Sequence, residues 1–141
     1  MDIHEFIKVP EGYTLESRDG IHLITSDEFN HRLRSFLDRF SEIQTKENNY
    51  HLPFHLYEQF PNVNVNELAS EIFTRKQDLK ILKENFSNYQ NSTAQILEIG
   101  GWNGWLTNHF SKTGATIVTT DVFDDEYNGL RSKNHYKSAN W

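Results

Sequence analysis

The chain has 141 residues, enough for one domain or for a small domain and part of another. Its formal charge of −6 argues against a general binder of nucleic acid or of anionic membranes. The absence of cysteine excludes disulfides, thiolate zinc sites and cysteine nucleophiles. Aromatic residues make up 13% of the chain and give a lean apolar set enough area for a core, so a wholly disordered chain is not expected. No run approaches the roughly 18 apolar residues of a membrane span. The opening MDIHEFIKVPEGY lacks the basic-then-apolar pattern of a secretory leader. The expected location is the cytoplasm, without membrane contact.

The first segment reads as a hairpin. Tyr13 to Ser17 alternates, Arg18-Asp19-Gly20 supplies a turn, and Ile21 to Thr25 alternates again. A helix follows, with capping-box spacing between Thr25 and Glu28 and with Ser26 as a competing cap. Phe29, Leu33, Phe36, Leu37, Phe40 and Ile43 then recur at spacings of three and four, which predicts one apolar face ending near Lys46 to Asn49. Residues 50–63 (YHLPFHLYEQFPNV) carry Pro53 and Pro61 and have no helical period. They read as an ordered connecting segment packed on the body of the protein. A second helix is predicted from near Asn64, with Glu67 three residues on. Leu68, Ile72, Leu79, Leu82 and Phe86 form its inner face, and Arg75, Lys76, Lys80 and Lys83 face water. This gives a first region over 1–63 and a second over 64–141.

Ala94 to Ile99 is a short, mostly apolar strand that runs into Gly100-Gly101-Trp102-Asn103-Gly104. A helical stretch with Trp105, Leu106 and Phe110 follows, closed by Gly114. Ala115 to Thr120 is a second, β-branched strand, with Asp121 at its end. The pattern is a βαβ unit, which makes the strands parallel and the chain α/β. A glycine-rich turn between a parallel strand and a helix lets backbone approach a ligand closely, against the free N–H groups of the helix start. An acid at the end of the next strand accepts hydrogen bonds from ribose hydroxyls. These residues therefore predict a nucleoside-bearing ligand at the carboxyl ends of the strands. A dinucleotide fingerprint from Gly100 needs glycine where this chain has Trp102 and Trp105, which disfavours NAD.

Glu98-Ile99-Gly100-Gly101-Trp102-Asn103-Gly104 resembles the E/D-x-G-x-G-x-G first motif of the class I S-adenosylmethionine-dependent methyltransferases. Residues 94–123 carry the resemblance, and Trp102 departs from it, since glycine is usual there. The resemblance implies a Rossmann-like methyltransferase fold, opened by this βαβ and preceded by a hairpin-plus-helix extension. It implies S-adenosyl-L-methionine as cofactor and methyl transfer to an acceptor that these residues do not specify. Glu98 would organise the methionine end, and Gly100, Gly101 and Gly104 would shape the turn. Asp121 would hold the ribose, and Val122 and Phe123 would pack beside the adenine. No catalytic residue is assigned. Arg18 to Ile24 is similar to the tail of a small zinc-binding module that precedes some of these enzymes, without its cysteines.

A complete domain of that family has further strands after the second, so the chain is expected to be the N-terminal half of a longer enzyme. Residues 127–136 read as a loop or short helix leading onward. Unpaired strand edges are expected to favour self-association. The alternative to an enzyme is a non-catalytic, methyltransferase-like binding or assembly module. The seven histidines are scattered, and His51 and His55 flank Pro53, so no metal site is assigned. Asp121, Asp124, Asp125 and Glu126 read as a solvated acidic loop rather than a cation site.

Overall fold

A computed structural model describes residues 7–46, 51–85 and 93–137. The chain is mixed α/β and divides into two compact units, residues 1–49 and 50–141.

The first unit opens with strands β1 (Thr14–Arg18) and β2 (Ile21–Thr25), paired antiparallel with Arg18 opposite Ile21. Asp19 and Gly20 connect them with φ 53° and 75°. Positive φ at both central residues is the turn whose twist matches that of the flanking strands, and Asp-Gly is among the pairs that adopt it at least cost. Helix α1 (Asp27–Lys46) follows. Ser26 rather than Thr25 is its cap, because the Ser26 hydroxyl accepts the Phe29 N–H at 3.1 Å. The apolar face of α1 is present, but Phe36 and Ile43 stand half exposed, and Phe36 stacks on Phe40 at 6.0 Å.

The second unit begins with the aromatic segment, so residues 51–63 pack within it. A 3-10 helix (Phe54–Gln59) occupies the stretch between its two prolines. Leu52, Tyr57, Phe60 and Val63 are buried there, and they form one core cluster with Leu68, Ile72, Leu79, Trp105 and Tyr136. A 3-10 turn at Asn66–Leu68 leads into helix α2 (Ala69–Asn85), a few residues after the predicted start. Leu68, Ile72 and Leu79 face the core, whereas Phe73 and Ile81 are exposed. Arg75 does not simply face water. Its guanidinium carbon lies 5.6 Å from the Trp102 ring centroid while Nη1 donates to Asp78 at 2.9 Å. The predicted inner-face residue Phe86 lies outside the described residues.

Strand β3 (Gln95–Ile99), helix α3 (Trp105–Ser111) and strand β4 (Thr116–Thr120) form the predicted unit. β3 and β4 pair parallel, with Glu98 beside Thr119 and Ile99 beside Thr120. Among the described residues the sheet has no third strand. Alternation puts Ile96, Glu98, Ile117 and Thr119 on one face and Leu97, Ile99 and Val118 on the other. The second face is open, with Leu97 63% and Ile99 81% exposed. After β4 the chain turns back across the unit. A 3-10 helix (Leu130–His135) packs against the one at Phe54–Gln59, with His135 stacked on Phe54 at 3.7 Å, and Tyr136 enters the core. No helix among the described residues is long and apolar enough to cross a membrane.

Trp105 stands where the aromatic segment and α3 meet, 6% exposed and edge-on to Phe60 at 6.0 Å. Replacing Trp105 with alanine is expected to cost about 3–5 kcal/mol of stability, read as a lower denaturant midpoint in chemical unfolding.

Candidate functional site

The end of β3 and the end of β4 are joined through the glycine turn. The N–H groups of Gly100 and Gly101 both donate to the Thr120 carbonyl, at 2.8 and 3.1 Å. The Gly104 N–H closes the turn on the Gly101 carbonyl at 2.9 Å. At Gly101 an added Cβ would run into the Thr119 methyl, so only glycine lets the turn lie this close to β4. Gly104 then caps α3, and the Asn103 side chain accepts the Trp105 N–H at 3.2 Å.

Trp102 is the second residue of this turn and has φ 48°. A bulky residue there carries strain of about 1–2 kcal/mol that glycine would not. Four contacts hold it. Its N–H donates to Asp121 Oδ2 at 2.7 Å, and its indole N–H donates to Asn128 Oδ1 at 2.9 Å. Phe60 meets the ring edge-on at 5.8 Å, and Arg75 lies against it. The indole is thus packed against the core side of the unit.

Asp121 sits just past β4 with its carboxylate turned to the glycine turn. Besides Trp102 it accepts the Phe123 N–H at Oδ1, at 2.9 Å. A carboxylate has about four acceptor positions, so these two bonds leave acceptor capacity on Asp121. Val122 is half exposed and Phe123 partly buried.

Glu98 lies one face inward. It accepts from the buried Thr107 hydroxyl of α3, and the Thr119 hydroxyl stands 2.7 Å from that of Thr107. Each threonine has one proton. With Thr107 donating to Glu98, the Thr119 proton lies between Thr107 and the Glu98 carboxylate, which is 3.4 Å away, so one hydroxyl–carboxylate cluster joins β4, α3 and β3. Burial raises the Glu98 pKa above its ordinary value; the two hydroxyls oppose that, and the charge of Asp121 adds to it.

The structure therefore brings Glu98, Gly100, Gly101, Gly104 and Asp121 together at one end of the parallel pair, with Val122 and Phe123 next in the chain. Sequence reasoning passed over Thr107, Thr119, Asn128 and Tyr136. For Thr119 a signal existed, because alternation along β4 and parallel register place it beside Glu98. Of the N–H groups at the helix start, that of Trp105 is taken by the Asn103 side chain. The turn amides named above already have partners, and α3 is only seven residues long. In the acidic run after β4, whose residues Asp124 to Glu126 are exposed, two side chains also find partners within the protein. Asp124 pairs with Arg131 at 3.1 Å, and Asp125 accepts from the N–H groups of Tyr127 and Asn128, each at 2.8 Å. No group of three or more metal-binding side chains occurs among the described residues.

No family model, no curated protein and no solved structure matches this chain.

Gly101→Ala is expected to destabilise the fold by about 1–3 kcal/mol, measured by chemical denaturation, because the Thr119 methyl must yield. Glu98 also sets a pH signature. Its raised folded pKa means that the native state holds the proton more tightly than the unfolded chain. Its contribution is then complete at acid pH and is lost as pH rises from the ordinary glutamate range through the folded value. Wild type is expected to lose stability relative to Glu98→Gln over that rise. A difference between the two proteins that stays flat with pH would contradict it.

Proposed function

We propose that residues 94–123 are the opening of a Rossmann-like fold and bind S-adenosyl-L-methionine, in a class I methyltransferase. The observation that carries this reading is the Asp121 carboxylate, placed at the end of β4 and turned onto the glycine turn at the end of β3. Two features of the site favour this cofactor over a dinucleotide. The amides of Gly100, Gly101, Trp102 and Gly104 are engaged within the protein and are not offered to a pyrophosphate. The site also carries two carboxylates close enough to feel one another, an environment that favours a cation with hydroxyl groups and disfavours phosphate.

In this reading the residues act as follows. Asp121 accepts from the ribose hydroxyls on the acceptor positions its two N–H bonds leave over. Glu98 orients the ammonium end of the ligand. Gly100, Gly101 and Gly104 let the backbone pass close beneath it, and Val122 and Phe123 flank the adenine. When bound, the cofactor supplies an electrophilic methyl group for in-line transfer to a nucleophile. The protein's part is to orient the reactants and exclude water.

A second reading, a non-catalytic binding or assembly module built on the same unit, is favoured by Trp102, whose strained bulk replaces a residue for which glycine is usual. Calorimetric titration of the complete reading frame with S-adenosylhomocysteine separates the two. The cofactor-binding reading expects measurable heat with that ligand and none with NAD. It also expects binding about tenfold weaker in Asp121→Asn, which loses a charged acceptor. Absence of heat with S-adenosylhomocysteine would overturn it in favour of the module.

A further inference from the structure

The segment after β4 touches both sides of the proposed pocket. It holds the end of β4, where the Leu130 N–H donates to the Phe123 carbonyl at 3.1 Å. An added Cβ at Gly129 would lie 2.6 Å from that same carbonyl oxygen, so the two backbones cross there at the closest approach glycine permits. It also holds the glycine turn. Asn128 accepts the Trp102 indole N–H, and the Tyr136 hydroxyl donates to the Asn103 carbonyl at 2.7 Å. One stretch of chain thereby fixes the distance between the residues proposed to flank the adenine and the turn proposed to lie beneath the sugar.

We propose that Tyr136 is a positioning residue for the glycine turn, acting through the Asn103 carbonyl. The proposal rests on the cofactor-binding reading above. Tyr136 is 4% exposed, and its ring meets Tyr57 edge-on at 5.6 Å, so its hydroxyl projects from a fixed place in the core. Asn103 is 1% exposed and is tied on its other side to the start of α3 through Trp105. Its carbonyl is thus held between the helix and Tyr136. The hydroxyl is a donor at physiological pH, and burial raises its ionisation further, so it stays one into the alkaline range. Without that donor a buried carbonyl is left unpaired and must turn toward another partner. Turning it rotates the Asn103–Gly104 peptide at the close of the turn, one residue beyond Trp102, whose positive φ persists only under restraint from its surroundings. Asn128 supplies the second restraint through the indole.

Tyr136→Phe keeps the ring and removes one oxygen. Asn128→Ala, at a partly buried position outside the core cluster, frees the indole and leaves the core intact. Both are compared with wild type by nuclear magnetic resonance of the Trp102 indole and the Gly101 and Gly104 amides, and by titration with S-adenosylhomocysteine. The expected result for each is displaced turn resonances, unchanged β1–β2 resonances and affinity lower by about tenfold, the loss of roughly one hydrogen bond's worth of preorganisation. Turn resonances that stay in place in Tyr136→Phe overturn the proposal whatever the ligand does. Displaced turn resonances with unchanged affinity overturn it too, and leave Tyr136 a purely structural residue. A wild-type protein that does not bind removes the cofactor reading and the positioning role with it. If Tyr136→Phe fails to fold, Asn128→Ala decides by the same two readouts.

Discussion

The missing side chain at Gly101 is the constraint on which the site depends. Because the Thr119 methyl fills the place a Cβ would occupy, the turn settles directly onto β4, and the amides of Gly100 and Gly101 share the Thr120 carbonyl. That contact brings the ends of two strands 21 residues apart in sequence, measured from Ile99 to Thr120, into register. Everything polar nearby is arranged around it. Asp121 falls within reach of Trp102, and Thr119 falls beside Thr107 and Glu98. Loss of the contact would separate the two carboxylates from the turn that lies between them.

Electrostatically, the region stores its acids in different ways. Asp121 is bound to two N–H donors at the surface of the unit, whereas Glu98 is carried inward and balanced by two hydroxyls. Hydroxyls stabilise a carboxylate less than a cation does, which is why burial dominates its ionisation. Keeping a glutamate there costs stability, and neutral hydrophobic replacements of similar size would fill the space with less penalty.

The local elements were legible where one short-range rule governs them. Asp19-Gly20 between alternating runs specifies its turn by φ alone, and the strand–glycine–helix–strand order of residues 94–121 specifies parallel pairing. Elements settled by competition or by distant partners were not. Thr25 and Ser26 offer equivalent chemistry, and only the path of the chain selects Ser26. Arg75 has the spacing of a solvent-facing residue, yet the Trp102 ring draws it in. The aromatic segment shows no period because a 3-10 helix between prolines presents neither a two-residue nor a 3.6-residue repeat. For the candidate site, the acids and glycines stood out by type and spacing. Thr107, Asn128 and Tyr136 did not, since their roles rest on contacts 9 to 33 residues away in sequence.

The first unit has a different character. Ile21 is the one buried apolar residue among its described residues, and its long helix is braced by surface pairs such as Arg32 with Glu28 and Lys46 with Glu42. Exposed pairs of this kind contribute only a few tenths of a kcal/mol each, roughly. With so little interior, α1 draws its order from its own hydrogen-bond ladder. Its amides therefore open to solvent at a cost set by helix–coil equilibrium, while those of β3 and β4 are released by unfolding of the packed layer that holds them.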